Sequence, residues 1–404
     1  MKDSLSRFLK YFKNKKNKEF HFIFSLVMVM VSIPLPKYNL SSQTVIVLVI
    51  TWILLNPLSE KYTLFKKNKK HFFILSIPFF LAMLGLTYSN NFNVGINKLG
   101  LQILFIIFPL IFSTINTRFI DREKVISYFP IGVFISALFG ACKASFFLLN
   151  NLGNYFYYDR FALFLNKHTT YFSLFVVLAI LFVIHQLIHK KIEIRLSVIL
   201  LLLFVPLIYI LSVRISILAL LIGVMPLLVY HLKIKYIVGL LISLPVLLGL
   251  IYLTPNFQKR FEKSTIEDRQ IEDVDFRKLH WESVLETISH NSLLVGNGSG
   301  SNRDYLYNKY REYKLTAAYE NKYNAHNQFL EVLLNYGFFG LLFFLFLLIY
   351  LAILFINSKN SLAISFLLTL IIFMLTESIL ERHSGVIIFT LFMSLFVKTD
   401  LESN

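Results

Sequence analysis

Residues 196–211 read LSVILLLLFVPLIYIL, sixteen residues without a charge. Arg214 follows three positions later, and a second apolar run continues from it to residue 231. Neither run alternates like a strand, and both approach the length that crosses a bilayer as a helix. Of the 404 residues, 56% are hydrophobic, and mean hydropathy is +0.65. This composition excludes an ordinary soluble protein and predicts an all-α polytopic membrane protein. Apolar stretches are read near 20–36, 41–58, 71–87, 98–114, 126–148, 170–188, 195–211, 214–231, 236–253, 336–356, 361–377 and 384–397, giving about twelve transmembrane helices.

The formal charge of +17 would suggest a nucleic-acid binder if the chain were soluble. In a membrane protein the distribution matters more. With the N-terminus assigned to the cytoplasm, 22 Lys and Arg fall on that side, and the short loops opposite hold only Lys37, Lys98, Arg160, Lys167, Arg214 and Arg382. This asymmetry predicts cytoplasmic N and C termini. The expected organisation is a basic arm at 1–19, nine spans within 20–253, one large extracytoplasmic loop with short helices at 254–325, a motif and three spans at 326–397, and a tail at 398–404. The first apolar run ends in Ile33-Pro34-Leu35-Pro36 without a small-x-small site, so it reads as an uncleaved span. Cys142 is the single cysteine, which rules out an intrachain disulfide or a site of several cysteines.

Chemistry concentrates near the C-terminus, where His326 and Asn327 are followed after nine residues by Gly337-Phe338-Phe339-Gly340. An imidazole titrates near neutral pH and can take a proton from a hydroxyl. At about 100° per residue, His326, Leu330, Leu333 and Gly337 fall on one helical stripe, with Gly340 close to it as a small packing residue. A helix-capping His at the membrane edge is the structural alternative. Residues 326–356 would span about 46 Å as one helix, more than the hydrocarbon core, so a break near Gly337 or a helical top above the bilayer is expected.

Within the large loop, residues 276–288 carry Arg277, Trp281, Val284, Leu285 and Ile288 at helical spacing, with Asp275 as a candidate N-cap and an acidic run over 267–275. Arg277 on the apolar side wants an anion. A pyrophosphate fits its fork of donors, and a salt bridge to a nearby acid is the alternative. Arg214 sits between two apolar runs, where snorkelling to the interface is the common explanation. Gly296-Asn297-Gly298-Ser299-Gly300 offers backbone N–H groups to an anion or forms a turn, and lacks the Gly-Lys-Ser/Thr of a nucleotide-binding loop. Asp273-Val274-Asp275 matches the D-x-D of metal-dependent glycosyltransferases but reads better as an acidic helix start, and no metal or cofactor is expected. Two tyrosine-rich clusters, 155–158 and 305–323, suit an interfacial belt or sugar stacking. Lys143 inside a span wants a lipid phosphate or a buried carboxylate.

The pattern H-[NSQ]-x9-G-x-x-[GTY] carried by His326, Asn327, Gly337 and Gly340 resembles that of bacterial O-antigen ligases, in the superfamily that also holds O-antigen polymerases and protein O-oligosaccharyltransferases. Ser212-Val213-Arg214, Arg277 with Trp281, the glycine loop and Thr376-Glu377-Ser378 resemble the same family, over roughly residues 80–397. The resemblance implies transfer of a glycan from a polyprenyl pyrophosphate carrier to an acceptor hydroxyl, the lipid A core in a ligase, on the outer face of a Gram-negative inner membrane. It implies His326 as base and Arg214 and Arg277 on the leaving pyrophosphate. Asn327, Arg303, Lys143, His168, Glu377 and Trp281 follow as candidate substrate-binding residues. Partners would be the lipid-linked donor, the acceptor and membrane lipids, with no nucleic acid. Polymerase, protein glycosyltransferase, or, from another class, a flippase for lipid-linked glycans are the alternative readings.

Overall fold

The computed structural model describes residues 14–36, 38–231, 274–290, 292–300 and 303–403. The expected ninth span at 236–253, most of the basic arm, Asp273 and most of the acidic run lie outside them. All regular structure among the described residues is helical. The helices are α1 (Lys15–Ser32), α2 (Tyr38–Leu55), α3 (Leu58–Leu75), α4 (Ile77–Leu86), α5 (Phe92–Gln102), α6 (Leu104–Ser113), α7 (Arg122–Ile126), α8 (Tyr128–Leu149), α9 (Tyr158–Leu163), α10 (Thr169–Ile188), α11 (Ile194–Leu211), α12 (Arg214–His231), α13 (Val274–His290), α14 (Asp304–Glu312), α15 (Thr316–Glu320), α16 (Gln328–Asn357), α17 (Ser361–Met374) and α18 (His383–Ser403).

Seven continuous helical stretches among the described residues are long and apolar enough to cross a membrane, and eight if α2 and α3, bent by 106°, form one broken span. The chain is therefore a polytopic helical membrane protein. The expected twelve cannot be counted in full, since 236–253 lies outside the described residues; two of the other expected spans differ locally. Residues 61–70, expected as a loop, are helical and share α3 with the start of the expected 71–87 span. That span then breaks at Ser76, whose hydroxyl donates to the Phe105 carbonyl at 2.7 Å. Residues 361–377 form only the fourteen-residue α17.

At the centre lies α10. It is apolar all round and nearly every side chain on it is buried, as expected of a helix surrounded by others. Phe182 of α10 meets Phe129 of α8, Phe366 of α17 and Phe392 of α18 at ring-centroid distances between 5.2 and 6.2 Å. Beside it α12 and α17 run antiparallel. Gly223 of α12 faces Thr369 of α17, and His231 reaches Ser361. Continuing that register backwards brings Arg214, the first residue of α12, level with the turn that follows α17.

Candidate functional site

The His326 motif does not begin a helix with His326 on its face. Asn327 is the N-cap of α16, its Oδ1 accepting from the N–H groups of Phe329 and Leu330 at 2.9 and 3.1 Å. His326 precedes the cap in a left-handed conformation, φ 42°, with its N–H donating to Asn324 Oδ1 at 3.0 Å. The expected stripe through Leu330, Leu333 and Gly337 is therefore broken at its first member, because the asparagine takes the capping position. The Asn327 amide also donates to the Leu375 carbonyl at 3.1 Å, so it ties α16 to the end of α17 instead of standing open to a ligand.

Nine residues after Asn327 the helix stops and restarts. Gly337 has φ 64° and ψ −165°, a region essentially restricted to glycine. The break frees two carbonyls and two N–H groups inside the protein, and such groups must be paired. The segment 293–298 pairs them. Asn297 and Gly298 donate to the carbonyls of Leu334 and Asn335 at 3.1 and 2.8 Å, and Phe338 and Phe339 donate to the carbonyls of Leu293 and Leu294 at 2.9 and 3.2 Å. A Cβ on Gly337 would lie 2.4 Å from the Leu294 backbone. Gly337 thus serves a helix break and not helix packing, while a Cβ on Gly340 would overlap Tyr336 of the same broken helix.

This overturns the anion-cradle reading of the glycine loop. The N–H groups of Gly296, Asn297, Gly298 and Ser299 donate to backbone carbonyls, and that of Gly300 donates to Ser89 Oγ. None remains for a ligand.

Beyond α17 the chain turns at Thr376-Glu377-Ser378 and brings Glu377 to His326, Nδ1 to Oε2 at 3.2 Å. Glu377 is 5% exposed. Burial alone would raise its pKa, but His326, His168 and Arg382 bring it down to about 2. The carboxylate therefore accepts and Nδ1 donates, which leaves Nε2 as the ring nitrogen not bonded to that carboxylate. His280 and Tyr323 stand edge-on to the His326 ring, each with centroids 5.4 Å away. His280 Nε2 donates to the Asn324 carbonyl at 2.7 Å, bracing the turn from below. His168, at the start of α10, feels the same carboxylate, its pKa lowered by burial and raised in part by Glu377. The Tyr171 hydroxyl donates to the Ser378 and Ile379 carbonyls, with Arg382 over its ring.

Arg303 enters a buried ion network. Its guanidinium pairs with Glu331 and donates to Asn335 Oδ1 at 2.9 Å. Glu331 also accepts the Ala325 N–H at 3.0 Å, one residue before His326. Lys98 bridges Glu381 at 3.0 Å and Glu331 at 3.9 Å. Burial opposes the Arg303 charge, and Glu331 with Glu381 more than restore it, so its pKa lies above the ordinary value. Arg303 is thus committed to protein carboxylates. Next to the network opens a polar cavity of about 790 Å³, lined by Asn90, Asn97, Ser299, Tyr307, Lys322 and Glu381 among others.

The remaining candidates separate. Arg277 falls in the first turn of α13, which starts one residue before the expected cap Asp275; its side chain lies outside what the structure describes. Trp281 of the same helix is half-buried, and its Nε1 is buried without a hydrogen-bond partner. Lys143, expected to be buried, is exposed on α8, because at its level of the helix the buried side is the one that carries Gly140 and Ala144. Glu331, His280 and Tyr171 were not singled out from the sequence. Glu331 carried a signal, an acid in an otherwise apolar helix.

The fold is thus that of a polytopic helical membrane protein with a histidine–carboxylate pair at one end of its bundle. Residues 196–345, less than half of the chain, match the family model described as O-antigen ligase. A comparison with curated proteins gives no match. The matched stretch holds Arg214, Arg277, Trp281, Arg303, His326, Gly337 and Gly340; Glu377, Lys143 and His168 lie outside it.

Proposed function

We propose that the chain is a ligase-type glycosyltransferase that moves a glycan from a polyprenyl pyrophosphate carrier to an acceptor hydroxyl, the lipid A core, on the extracytoplasmic face of the inner membrane. The observation that carries this is the His326–Glu377 pair. A buried carboxylate fixing Nδ1–H gives an imidazole whose other nitrogen is available as a general base. In the proposed step Nε2 takes the acceptor proton, the alkoxide oxygen bonds to the anomeric carbon, and the carbon–oxygen bond to the pyrophosphate breaks with its electron pair leaving on the phosphate. Displacement from the opposite side inverts the anomeric configuration.

Charge develops on the leaving pyrophosphate, and fixed cations there lower the barrier. Arg214 is our first candidate, since the α12–α17 register brings it level with the Glu377 turn; Arg277 of α13 is the second. Trp281 offers an N–H that the described residues leave unmet. Arg303 acts as a positioning residue through Glu331 and the Ala325 N–H. The polar cavity beside it has the amides and hydroxyls to receive sugar.

The test is His326→Ala at matched expression in the native host, reading surface glycan by gel and polyprenyl-linked glycan by extraction. Loss of long glycan on lipid A with build-up of long polyprenyl-linked chains supports the ligase. Chains stopped at one repeat point to a polymerase. An unchanged profile removes the base and leaves His326 a structural residue.

A further inference from the structure

At the opposite end of the bundle is a second constellation that this chemistry does not use. The twenty residues of α10 carry the chain about 30 Å from His168 to that end. There the rings of His185 and His189 lie 4.4 Å apart, and those of His189 and His231 4.7 Å apart. A cavity of about 420 Å³ opens against them, with Arg118, Arg122, Lys359, Asn360 and Ser361 in its wall.

Its acids are spoken for. Glu123 is held by His185 at 2.8 Å and by Arg122 at 3.0 Å. Asp400 takes Arg122 at 3.3 Å and accepts from Ser358 and Asn360 at 2.7 Å. Glu402 pairs with Lys398 at 2.8 Å and accepts from Thr117. Among the described residues Arg118 and Lys359 form no ion pair with an acid. His185 is 4% exposed, and its Nδ1 is buried without a hydrogen-bond partner. The cavity also lies at the start of α17, the positive end of that helix dipole. No group of three or more His, Cys, Asp or Glu among the described residues is arranged to hold a metal ion.

From this arrangement we infer that the cavity is a binding site for a phosphate ester. Two side-chain cations without acid partners and the imidazoles of His185, His189 and His231 line one space. A phosphate accepts from several such donors at once. The volume exceeds that of a bare phosphate, so the ligand carries a substituent, either the headgroup of a lipid in the adjoining leaflet or a soluble phosphate ester. The site is independent of the His326 chemistry in residues and in position.

The test uses the full chain in a maltoside detergent, which contains no phosphate, and reads the thermal unfolding midpoint at constant ionic strength. Additions are sodium phosphate in one arm and short-chain phosphatidylglycerol in the other. The midpoint is expected to rise in at least one arm, and in Arg118→Ala/Lys359→Ala binding is expected to weaken about tenfold for each cation removed. A rise with inorganic phosphate assigns a soluble ligand; a rise with the lipid alone assigns a headgroup. Both altered side chains are exposed, so the variant without ligand should unfold as the wild type does; if it does not, the exposed His189→Gln replaces it. No rise in either arm, or an equal rise in the variant, overturns the inference.

Discussion

His326 Nδ1 and Glu377 Oε2 lie 3.2 Å apart although 51 residues separate them in the chain. Two devices produce the meeting. Asn327 caps α16 and bonds the Leu375 carbonyl, setting the His turn against the end of α17. Gln328 then accepts the Leu380 N–H at 2.7 Å, fixing the far side of the Glu377 turn.

Glu377→Gln tests the pair. The amide oxygen can still accept Nδ1–H, so the geometry survives, but the charge that stabilises a developing imidazolium is gone. Glycan transfer by purified protein should fall about 10²- to 10⁴-fold. The double variant with His326→Ala should be no slower than His326→Ala alone, since the two act as one unit. The depressed Glu377 pKa fixes the pH window. Its contribution to stability is full above the ordinary carboxylate value of 4.5 and is lost only as pH falls toward about 2. A carboxylate near that value does not titrate near neutrality, so a neutral-pH limb in the rate profile would belong to another group. Additive losses in the double variant would separate the residues functionally.

Gly337→Ala tests the break. It forces a side chain into a glycine-only conformation at about 1–3 kcal/mol, and its Cβ overlaps the Leu294 backbone. Thermal stability of the purified protein should drop by several degrees. Gly100→Ala, where an added Cβ meets nothing within 4 Å, should be neutral. Equal behaviour of the two would mean that the break is not held by segment 293–298.

Arg303→Met tests the buried network. It leaves Glu331 with Lys98 at 3.9 Å as its nearest cation, and uncompensated burial of a carboxylate costs about 3–5 kcal/mol. Arg303→Met/Glu331→Gln should recover part of that loss in a denaturation measurement. It should also recover transfer activity in proportion if Arg303 only positions the His turn. A double variant that is stable yet inactive would return Arg303 to substrate binding.

How much of this was readable in the sequence follows from the range of each interaction. Apolar runs and Pro34-Leu35-Pro36 are local, and α10, α11 and α12 lie where those signals put them. The excess length of 326–356 was also local; it allowed either a break near Gly337 or a helical top above the bilayer, and the structure has the break. What filled the break was not local. Leu293 to Gly298 reach it through backbone groups, which leave no side-chain pattern, so a structural plug looked like an anion loop. Similarly Arg303 looked available because its partner Glu331 is 28 residues away. Lys143 looked buried because a hydropathy window does not distinguish the bundle face of a helix from its outer face. The matched motif ran ahead of its mechanism here: nine residues are the helix between a cap at Asn327 and a break at Gly337, and that length was visible before its purpose.

Lys167 gives the last prediction. It is 6% exposed, its ammonium donates to the Ile33 carbonyl at 3.1 Å, and burial pushes its pKa down to about 8 from 10.5. Below pH 8 both folded and unfolded chains hold the proton, and the folded state bears the cost of a buried charge. Between about 8 and 10.5 the folded chain has released the proton while the unfolded chain keeps it. The unfolded state then binds more protons, so stability rises with pH through that window, by up to about 3 kcal/mol for this group. Lys167→Met removes both the cost and the titration. Its stability relative to wild type should be greatest at pH 7 and shrink toward pH 10, measured as the difference between the two denaturation midpoints. A difference that stays constant with pH would mean that Lys167 keeps its ordinary pKa and that its bond to Ile33 offsets the burial.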